Sequence, residues 1–317
     1  MSNNKLCNLL VNHKTIKRAD CPNLYISELL ASWRFSISFV LLKMGLIRFI
    51  VYGNVLISLS AGLLSFGLVS FLQFSNPLYY FLCVFYATLF IYNFQRIPRL
   101  DEITDQYSDR HIWLSKNRNT LYLLTVLGGL GALITYFGLL TIQNDFLFLI
   151  LIGIIGVFYA VKSLKGLALR DFPYVKIHLI ALVWVLIIAV WPLIREEKSI
   201  LDHVGLLIAL YFILVAITIP FDIRDLSYDD LKKGTIPQLI DVPKSKVLAT
   251  LFLTLGFILI FVYDSSFLKN PVYYVSFIGF FFLLIRTTKN RKEMYFSGLI
   301  DGWILFLGLM FLMTYRF

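Results

Sequence analysis

Long apolar runs alternate with short polar segments along nearly the whole chain. A helix needs roughly 20 mostly apolar residues to cross a bilayer, and an open strand would leave its backbone groups unpaired in lipid. The pattern therefore predicts an all-α, polytopic membrane protein with nine transmembrane helices. The predicted spans are 47–72, 77–97, 119–141, 144–162, 175–194, 201–221, 246–264, 271–286 and 295–315.

The composition is that of a membrane protein. Of the 317 residues, 59% are hydrophobic and 15% are charged, against about 45–50% and 25% in soluble domains. A water-soluble enzyme, a disordered chain and a secreted scaffold are excluded, because none of them hides so much apolar surface. The three cysteines, Cys7, Cys21 and Cys83, show neither the spacing of metal ligands nor a disulfide framework.

The basic residues predict the orientation of the chain. The net charge is +10, and 25 of the 29 Lys and Arg residues lie in the N-terminal stretch or in segments that follow even-numbered spans. Cytoplasmic loops carry such an excess, so we expect a cytoplasmic N-terminus and, with nine spans, a C-terminus outside. We expect an inner (cytoplasmic) membrane protein, and we read the positive charge as topology rather than as a nucleic-acid surface.

Residues 1–45 differ from the rest because they are polar and basic, with one short apolar stretch from Phe35 to Leu42. That stretch is too short to span a bilayer, and no signal-peptide cleavage site follows it. We expect a cytoplasmic extension that is partly disordered or lies at the membrane interface. Met44 opens directly onto the first span, so residues 1–43 are alternatively a leader outside the native chain.

The strongest candidate for chemistry is an acidic run at the end of the sixth span. Asp222, Asp225 and Asp229 stand at i, i+3 and i+7, which places them within about 60° of one helix face. Carboxylates that converge in this way repel one another unless a cation joins them, and hard oxygen ligands suit Mg²⁺. The alternative is a solvated acidic loop with interleaved lysines.

The same run continues into Lys232-Lys233-Gly234-Thr235-Ile236-Pro237. The D-x-x-D-x-x-x-D spacing followed by K-x-G-T-x-P resembles the second aspartate motif of the UbiA superfamily of intramembrane prenyltransferases. The resemblance extends over residues 46–317. It implies nine helices bundled around a central cavity that is open sideways to lipid. It also implies that Mg²⁺ on Asp222, Asp225 and Asp229 holds the diphosphate of a prenyl substrate.

The first aspartate motif of that family, N-D-x-x-D-x-x-x-D, is degenerate here. Asn93 and Asp101 match its first and last positions, whereas Phe94 and Ile97 occupy the two central aspartate positions. The resemblance therefore implies a weakened or absent first metal site, with Asp101 as its remaining acidic ligand and Asn93 beside the diphosphate. Arg96 lies a turn from Asn93, and its fixed charge is expected to replace a metal ion at the phosphate.

Other residues are candidates by position. The basic residues of two further segments are expected to bind diphosphate, or else they are ordinary positive-inside charge. They are Lys162, Lys165, Arg170 and Lys233. Tyr159, at the end of the fourth span, and Asp301, inside the ninth, are expected to line the pocket, unless Asp301 is paired with a neighbouring base. Asn54 either lines the same cavity or forms a hydrogen bond between helices.

The function that the resemblance implies is transfer of an isoprenyl group from a prenyl diphosphate to a lipophilic acceptor, with Mg²⁺ as cofactor and membrane lipid as the surrounding partner. A UbiA-type terpene cyclase, in which the cation closes on the prenyl chain itself, is one alternative. A homologue that has lost catalysis and serves as a lipid-binding or structural subunit is another. A transporter of a different fold is disfavoured, because the chain shows no internal repeat.

Overall fold

A computed structural model describes residues 45–102, 109–139, 145–160, 175–226 and 234–316. The chain divides into two compact units, Met1–Ile50 and Val51–Phe317. Only residues 45–50 of the first unit are described, so the expected properties of residues 1–44 lie outside the described residues.

The described segments of the chain are helical. The helices are α1 Gly45–Tyr52, α2 Val55–Phe71, α3 Pro77–Phe94, α4 Asp109–Lys116, α5 Arg118–Leu139, α6 Asp145–Ala160, α7 Val175–Arg195, α8 Val204–Asp225, α9 Ile236–Tyr263, α10 Pro271–Arg286 and α11 Asp301–Arg316. Short 3₁₀ helices precede or connect several of them, at Ile97–Glu102, Leu201–His203 and Ser265–Lys269. Two segments are π-helical, namely Leu186–Val190 within α7 and Met294–Ile300, which leads into α11.

The chain is an integral membrane protein with multiple apolar helices. Six helices in the described part of the chain are long and apolar enough to cross a bilayer, and the number rises to seven if α1 and α2 form one broken span. The break lies at Asn54, which adopts a left-handed backbone conformation with φ 64°. The predicted fourth and eighth spans correspond to α6 and α10, which are apolar but have only 16 residues each.

The core lies along α8, whose Ala209, Leu210 and Ile213 are almost fully buried. The most extensive helix contacts join α8 to α9, α11 to α2, and α3 to both α2 and α5. The outer helices instead expose large apolar side chains such as Ile134, Leu147 and Val262. Exposed apolar surface of this extent is stable in lipid rather than in water.

The contact between α2 and α11 depends on two glycines. A Cβ atom added to Gly67 would lie 2.0 Å from the Gly308 carbonyl oxygen, and one added to Gly308 would lie 2.5 Å from the Leu63 carbonyl oxygen. Backbone atoms cannot yield to a side chain as a flexible neighbour can. Small residues of this kind allow membrane helices to approach closely without a hydrophobic driving force between them.

We expect Gly67→Ala to lower the thermal unfolding temperature of the protein in detergent. Overpacking a tight contact costs about 1–3 kcal/mol, and the added methyl group here meets a backbone carbonyl. The matched control is Gly205→Ala, because a Cβ atom at that helical position meets nothing within 4 Å. Equal unfolding temperatures for the two variants would show that α2 and α11 are not packed as closely as described.

Candidate active site

A cavity of about 890 Å³ lies between the spanning helices. Its walls are mostly apolar side chains from α2, α3, α5, α6, α7 and α8. The charged residues of the lining and several polar ones come from the ends of α3, α6 and α8, the beginnings of α7 and α11, the start of α4 and the segment before α9. They are Gln95, Arg96, Arg110, His111, Tyr159, Lys176, Asp222, Arg224, Asp225, Thr235 and Asp301. One end of the cavity is therefore charged, and the remaining walls are mostly apolar and aromatic.

The first two carboxylates of the acidic run meet at this charged end. Helix α8 continues without interruption through Asp222 and Asp225, so the predicted helical spacing holds for this pair. The Lys176 ammonium at the start of α7 lies 2.7 Å from Asp222 Oδ1 and 3.0 Å from Asp225 Oδ2. Asp229 and Lys233 lie outside the described residues. The two carboxylates thus share one cation across two helices.

The segment after the acidic run has a defined structure where it is described. Gly234 has φ 58°, a conformation that glycine adopts without strain. The Thr235 amide then donates to Gln238 Oε1 over 3.0 Å, and Pro237 lies in the first turn of α9. A capping residue with a proline just inside the helix is a common helix start. The described part of the K-x-G-T-x-P motif therefore begins α9.

Arg224 binds the other carboxylate oxygen of Asp225. Its Nε donates to Asp225 Oδ1 over 2.8 Å, and its NH1 donates to Glu293 Oε1 over 3.0 Å. The guanidinium also lies over the rings of Phe221 and Phe296, at 5.1 Å and 5.7 Å from their centroids. Because Glu293 directly precedes the π-helical segment before α11, this arginine connects the acidic run to the last helix.

Asp222 and Asp225 fit a single Mg²⁺ ion. Their oxygens converge on one point, which the Lys176 ammonium takes in this structure, and Mg²⁺ typically binds one or two carboxylates together with substrate phosphates. In the part of the chain that the structure describes, no group of three or more His, Cys, Asp or Glu side chains is placed to hold a metal ion. The pair therefore fits one ion in exchange for the lysine, with Asp229 as the expected third ligand.

The first motif does not fit a metal ion. The carboxamide of Asn93 is fully buried, its nitrogen donates to the carbonyls of Gly53 and Leu89, and its oxygen accepts from Asn54 over 2.8 Å. Ile97 packs on a small apolar cluster that includes Leu114. Apolar side chains at the two central aspartate positions of the family motif therefore serve packing in this chain.

The remaining residues of that motif are dispersed. Phe94 stacks on Phe90, with 5.5 Å between the ring centroids. Asp101 lies in the short helix Ile97–Glu102. Arg96 lines the cavity, and its NH1 is 3.5 Å from His111 Nε2. Among the predicted first-motif residues whose side chains the structure describes, Arg96 is the one that lines the cavity.

Asn54 is a hydrogen bonder between helices, which is one of the two roles expected for it. Neither Asn54 nor Asn93 belongs to the described lining of the cavity. Besides Asn93, Asn54 binds Arg110, whose NH2 donates to its Oδ1. Arg110 NH1 donates to Ser297 Oγ over 3.0 Å and lies 3.9 Å from Glu293 Oε1. A buried polar network thus connects the degenerate first motif to Glu293 and, through Arg224, to Asp225.

The surroundings of Glu293 and His111 determine their ionisation states. Burial on its own would raise the pKa of Glu293, but the charges of Arg224 and Arg110 and the hydrogen bond from Ser297 hold that pKa below its usual range. Burial, together with the charges of Arg96 and Arg110, lowers the pKa of His111 to about 3. At neutral pH the glutamate is therefore ionised and the histidine ring is neutral, so the positive charge at this end comes from Arg and Lys.

Tyr159 and Asp301 line the cavity. The predicted phosphate-binding residues Lys162, Lys165 and Arg170 lie outside the described residues. Sequence reasoning missed Lys176, Arg110, Arg224 and Glu293 as site residues. Each lies in a loop or next to the end of a span, where a charge is also explained by topology. The signal that could have found Arg224 is its place within the helical acidic run. No local signal marks Lys176, which lies 49 positions from Asp225 in the sequence.

The opposite end of the cavity has an aromatic lining that contacts a second buried ion pair. Tyr136 and Trp191 line the cavity there, and both donate to the carboxylate of Asp145, over 2.9 Å and 2.8 Å. Arg195 NH1 lies 3.0 Å from Asp145 Oδ1 and 2.9 Å from its Oδ2. This cluster joins the end of α5, the start of α6 and the end of α7.

Two solved structures are similar to this chain. The first is a UbiA homologue from Archaeoglobus fulgidus bound to GPP and Mg²⁺, with a TM-score of 0.51 and 15% identity over 83% of this chain and 99% of that one. The second concerns digeranylgeranylglyceryl phosphate synthase in membranes, with a TM-score of 0.50 and 15% identity over 85% of this chain and 96% of that one. No family model and no curated protein matches the sequence. The resemblance expected from the aspartate run is confirmed at the level of the fold: the chain has the fold of the UbiA superfamily.

Proposed function

We propose that this protein belongs to the UbiA superfamily and transfers an isoprenyl group from a prenyl diphosphate to a lipophilic acceptor inside the membrane. The observation that carries the proposal is the cavity, which is apolar along its walls and charged at one end. An isoprenyl diphosphate has the same division, with an apolar chain and an anionic head. Within a bilayer, charged side chains that face a cavity are a functional site by default.

The chain's own residues account for binding and for exclusion of water. Asp222 and Asp225 would hold one Mg²⁺ ion, with Asp229 as the expected third ligand, and that ion would neutralise charge on the leaving diphosphate. Arg96 and Lys176 line the same end and donate charge-assisted hydrogen bonds to phosphate oxygens. The apolar walls keep water from the allylic cation, and the ring faces of lining aromatics such as Tyr92 and Trp184 stabilise its charge.

The assay that tests this function uses the purified protein in lipid vesicles with radiolabelled prenyl diphosphates of several lengths. Product is extracted with and without candidate acceptors, and with Mg²⁺ or with a chelator. We expect an acceptor-dependent, Mg²⁺-dependent prenylated lipid. A cyclised prenyl product formed without acceptor would support the terpene cyclase instead.

Arg96→Ala is expected to weaken the binding of a prenyl diphosphate by about 10- to 150-fold, because a charge-assisted hydrogen bond contributes about 1.5–3 kcal/mol. Binding is measured by titration with a non-reactive thiodiphosphate analogue. Arg286→Ala is the matched control, since Arg286 is exposed at the end of α10. Equal affinities for the two variants would exclude Arg96 from the diphosphate site.

The nine-span topology is part of the proposal. Helices α6 and α10 would complete a nine-helix bundle, and the charge pattern places the N-terminus and the segments 98–118, 163–174, 222–245 and 287–294 in the cytoplasm, with the C-terminus outside an inner membrane. Single cysteines introduced into a cysteine-free variant should resist an impermeant thiol reagent added to intact cells. Labelling within 222–245 from outside would contradict this orientation.

A second candidate function is supported by the first motif. Its central positions are Phe94 and Ile97, and the Asn93 carboxamide is hydrogen-bonded to Gly53, Asn54 and Leu89. A chain with one metal site instead of two would serve as an isoprenoid-binding subunit without catalysis. Saturable binding of prenyl diphosphates with no turnover of any of them would favour this candidate over the transferase.

A further inference from the structure

Asp301 is a buried carboxylate that the diphosphate site does not use. It is 8% exposed and lines the cavity. Among the described residues, no hydrogen bond and no ion pair involves its side chain. Burying a carboxylate without a direct partner is costly. We therefore expect a group of a bound ligand to be the hydrogen-bond partner of this carboxylate when the cavity is filled.

Asp301 directly follows an unusual helical segment. The π-helical segment Met294–Ile300 directly precedes it, and α11 begins at Asp301 itself. A second π-helical segment, Leu186–Val190, interrupts α7, and Ile187 and Ile188 from it line the same cavity. Wide turns of this kind are rare and frequently occur at functional sites.

Asp301 faces the charged end of the cavity from the last helix. The charges of Arg110, Arg224, Glu293 and Arg96 act on it, and it in turn acts on the Tyr92 hydroxyl. These groups come from α3, α4, α8 and the segments that follow α3 and precede α11. The position of Asp301 is therefore close to the diphosphate end, yet not within the set of residues that would hold the metal ion.

In the part of the chain that the structure describes, no direct contact joins Asp301 to the arginines at this end of the cavity. Arg224 is bound to Asp225 and Glu293, at 2.8 Å and 3.0 Å. Arg110 is bound to Ser297 and Asn54, with Glu293 nearby, while its Nε is buried without a hydrogen-bond partner among the described residues. The direct contacts of both arginines thus go to other residues and leave the Asp301 oxygens able to accept from a ligand.

We propose that Asp301 is the catalytic base that receives the acceptor's proton, and that the acceptor is a lipophilic molecule with a hydroxyl group. This inference rests on the proposed prenyl transfer. A lone pair of the hydroxyl oxygen forms the new bond to C1 of the prenyl chain. The bond from C1 to the diphosphate oxygen breaks, and diphosphate leaves with that electron pair. The hydroxyl proton passes to an Asp301 Oδ atom, so charge and atoms balance.

The test separates prenyl diphosphate binding from acceptor chemistry. We expect Asp301→Asn to lower the rate of transfer to a hydroxylated acceptor by at least about 100-fold, which is the usual contribution of a general base. Affinity for the thiodiphosphate analogue should stay at the wild-type value, and so should the slow release of diphosphate without acceptor. Asp301→Glu should recover part of the transfer rate, because it restores the base one methylene away.

Two controls complete the experiment. Asp202→Asn, at an exposed aspartate outside the cavity lining, should leave every rate unchanged. The methyl ether of the same acceptor should give no product with the wild-type protein, because it has no proton to lose. Bound analogue in Asp301→Asn shows that the variant is folded.

The possible failures are distinguishable. Wild-type transfer together with equal transfer by Asp301→Asn would overturn the role of Asp301 and leave the proposed function standing. Loss of analogue binding in Asp301→Asn, with the thermal unfolding temperature retained, would place Asp301 in the diphosphate site instead and also overturn the inference. Absence of any turnover by the wild-type protein would overturn the proposed function and this inference together.

Discussion

Asp225→Asn is expected to abolish prenyl transfer while the protein remains folded. The carboxylate of Asp225 is shared by Lys176 and Arg224, at 3.0 Å and 2.8 Å, and would hold the metal ion on the diphosphate. Removing one group that stabilises charge in a transition state costs about 100- to 1000-fold in rate. Folding should survive because Lys176 keeps Asp222 and Arg224 keeps Glu293. The measurement is the initial rate of isoprenyl incorporation into the acceptor.

This variant has a matched control, and two outcomes would contradict the expectation. Asp202→Asn makes the same chemical change at an exposed aspartate outside the cavity lining, and should keep full activity. An active wild-type protein with an equally active Asp225→Asn variant would exclude Asp225 from the metal site. If the wild-type protein turns over no prenyl diphosphate and Asp225→Asn leaves its biological role intact, the non-catalytic candidate is favoured.

The metal site also predicts competition between Lys176 and Mg²⁺, because the lysine ammonium takes the point on which Asp222 and Asp225 converge. A protein cation at this point keeps the buried Asp222 carboxylate and the half-buried Asp225 carboxylate compatible with each other before a metal ion arrives. The degenerate first motif agrees with this arrangement, since its two central carboxylates are absent and fixed arginine charges lie nearby. In the proposed function, side-chain cations would therefore supply part of the charge neutralisation at the diphosphate.

Much of the fold was predictable because hydrophobic runs in a membrane protein are long and uninterrupted. The acidic run is the best case: helical continuation of the sixth span through Asp225 follows from spacing, and α8 has it. The beginning of α9 was placed too late, at 246 instead of Ile236. Its first turns are polar, and the backbone leaves helical geometry at Asp241 before the apolar part begins, so hydropathy detects only the later part.

The partners of the charged residues were not predictable, because they are distant in sequence. Arg224 binds Glu293, which lies 69 positions away, and Arg110 binds Asn54, which lies 56 positions away. Nothing in local spacing or propensity encodes such a pair; only the packing of the helices brings its members together. For the same reason the sequence suggested phosphate binding for Asn93, whereas the structure shows a carboxamide bound between helices.

Asp145 and Arg195 form a further pair whose members are distant in sequence. Breaking this ion pair is expected to cause a large loss of stability. The sequence predicted a role for neither residue. Both are buried, and the carboxylate also accepts hydrogen bonds from Tyr136 and Trp191. Arg195→Met leaves that carboxylate without its counter-ion. Breaking a buried pair on one side costs about 3–5 kcal/mol. Thermal unfolding in detergent, followed by circular dichroism, measures the effect.

The double variant Asp145→Leu with Arg195→Met decides whether the loss comes from the unpaired charge. Replacing both members of a buried pair by apolar residues is often neutral, because the cost of desolvating two charges disappears with them. We therefore expect the double variant to unfold close to the wild-type temperature, although Asp145→Leu also removes the acceptor of Tyr136 and Trp191. Arg286→Met, at an exposed arginine, should change little. A double variant that unfolds below Arg195→Met would show that the hydrogen bonds to Asp145, rather than its charge, hold α5, α6 and α7 together at this end.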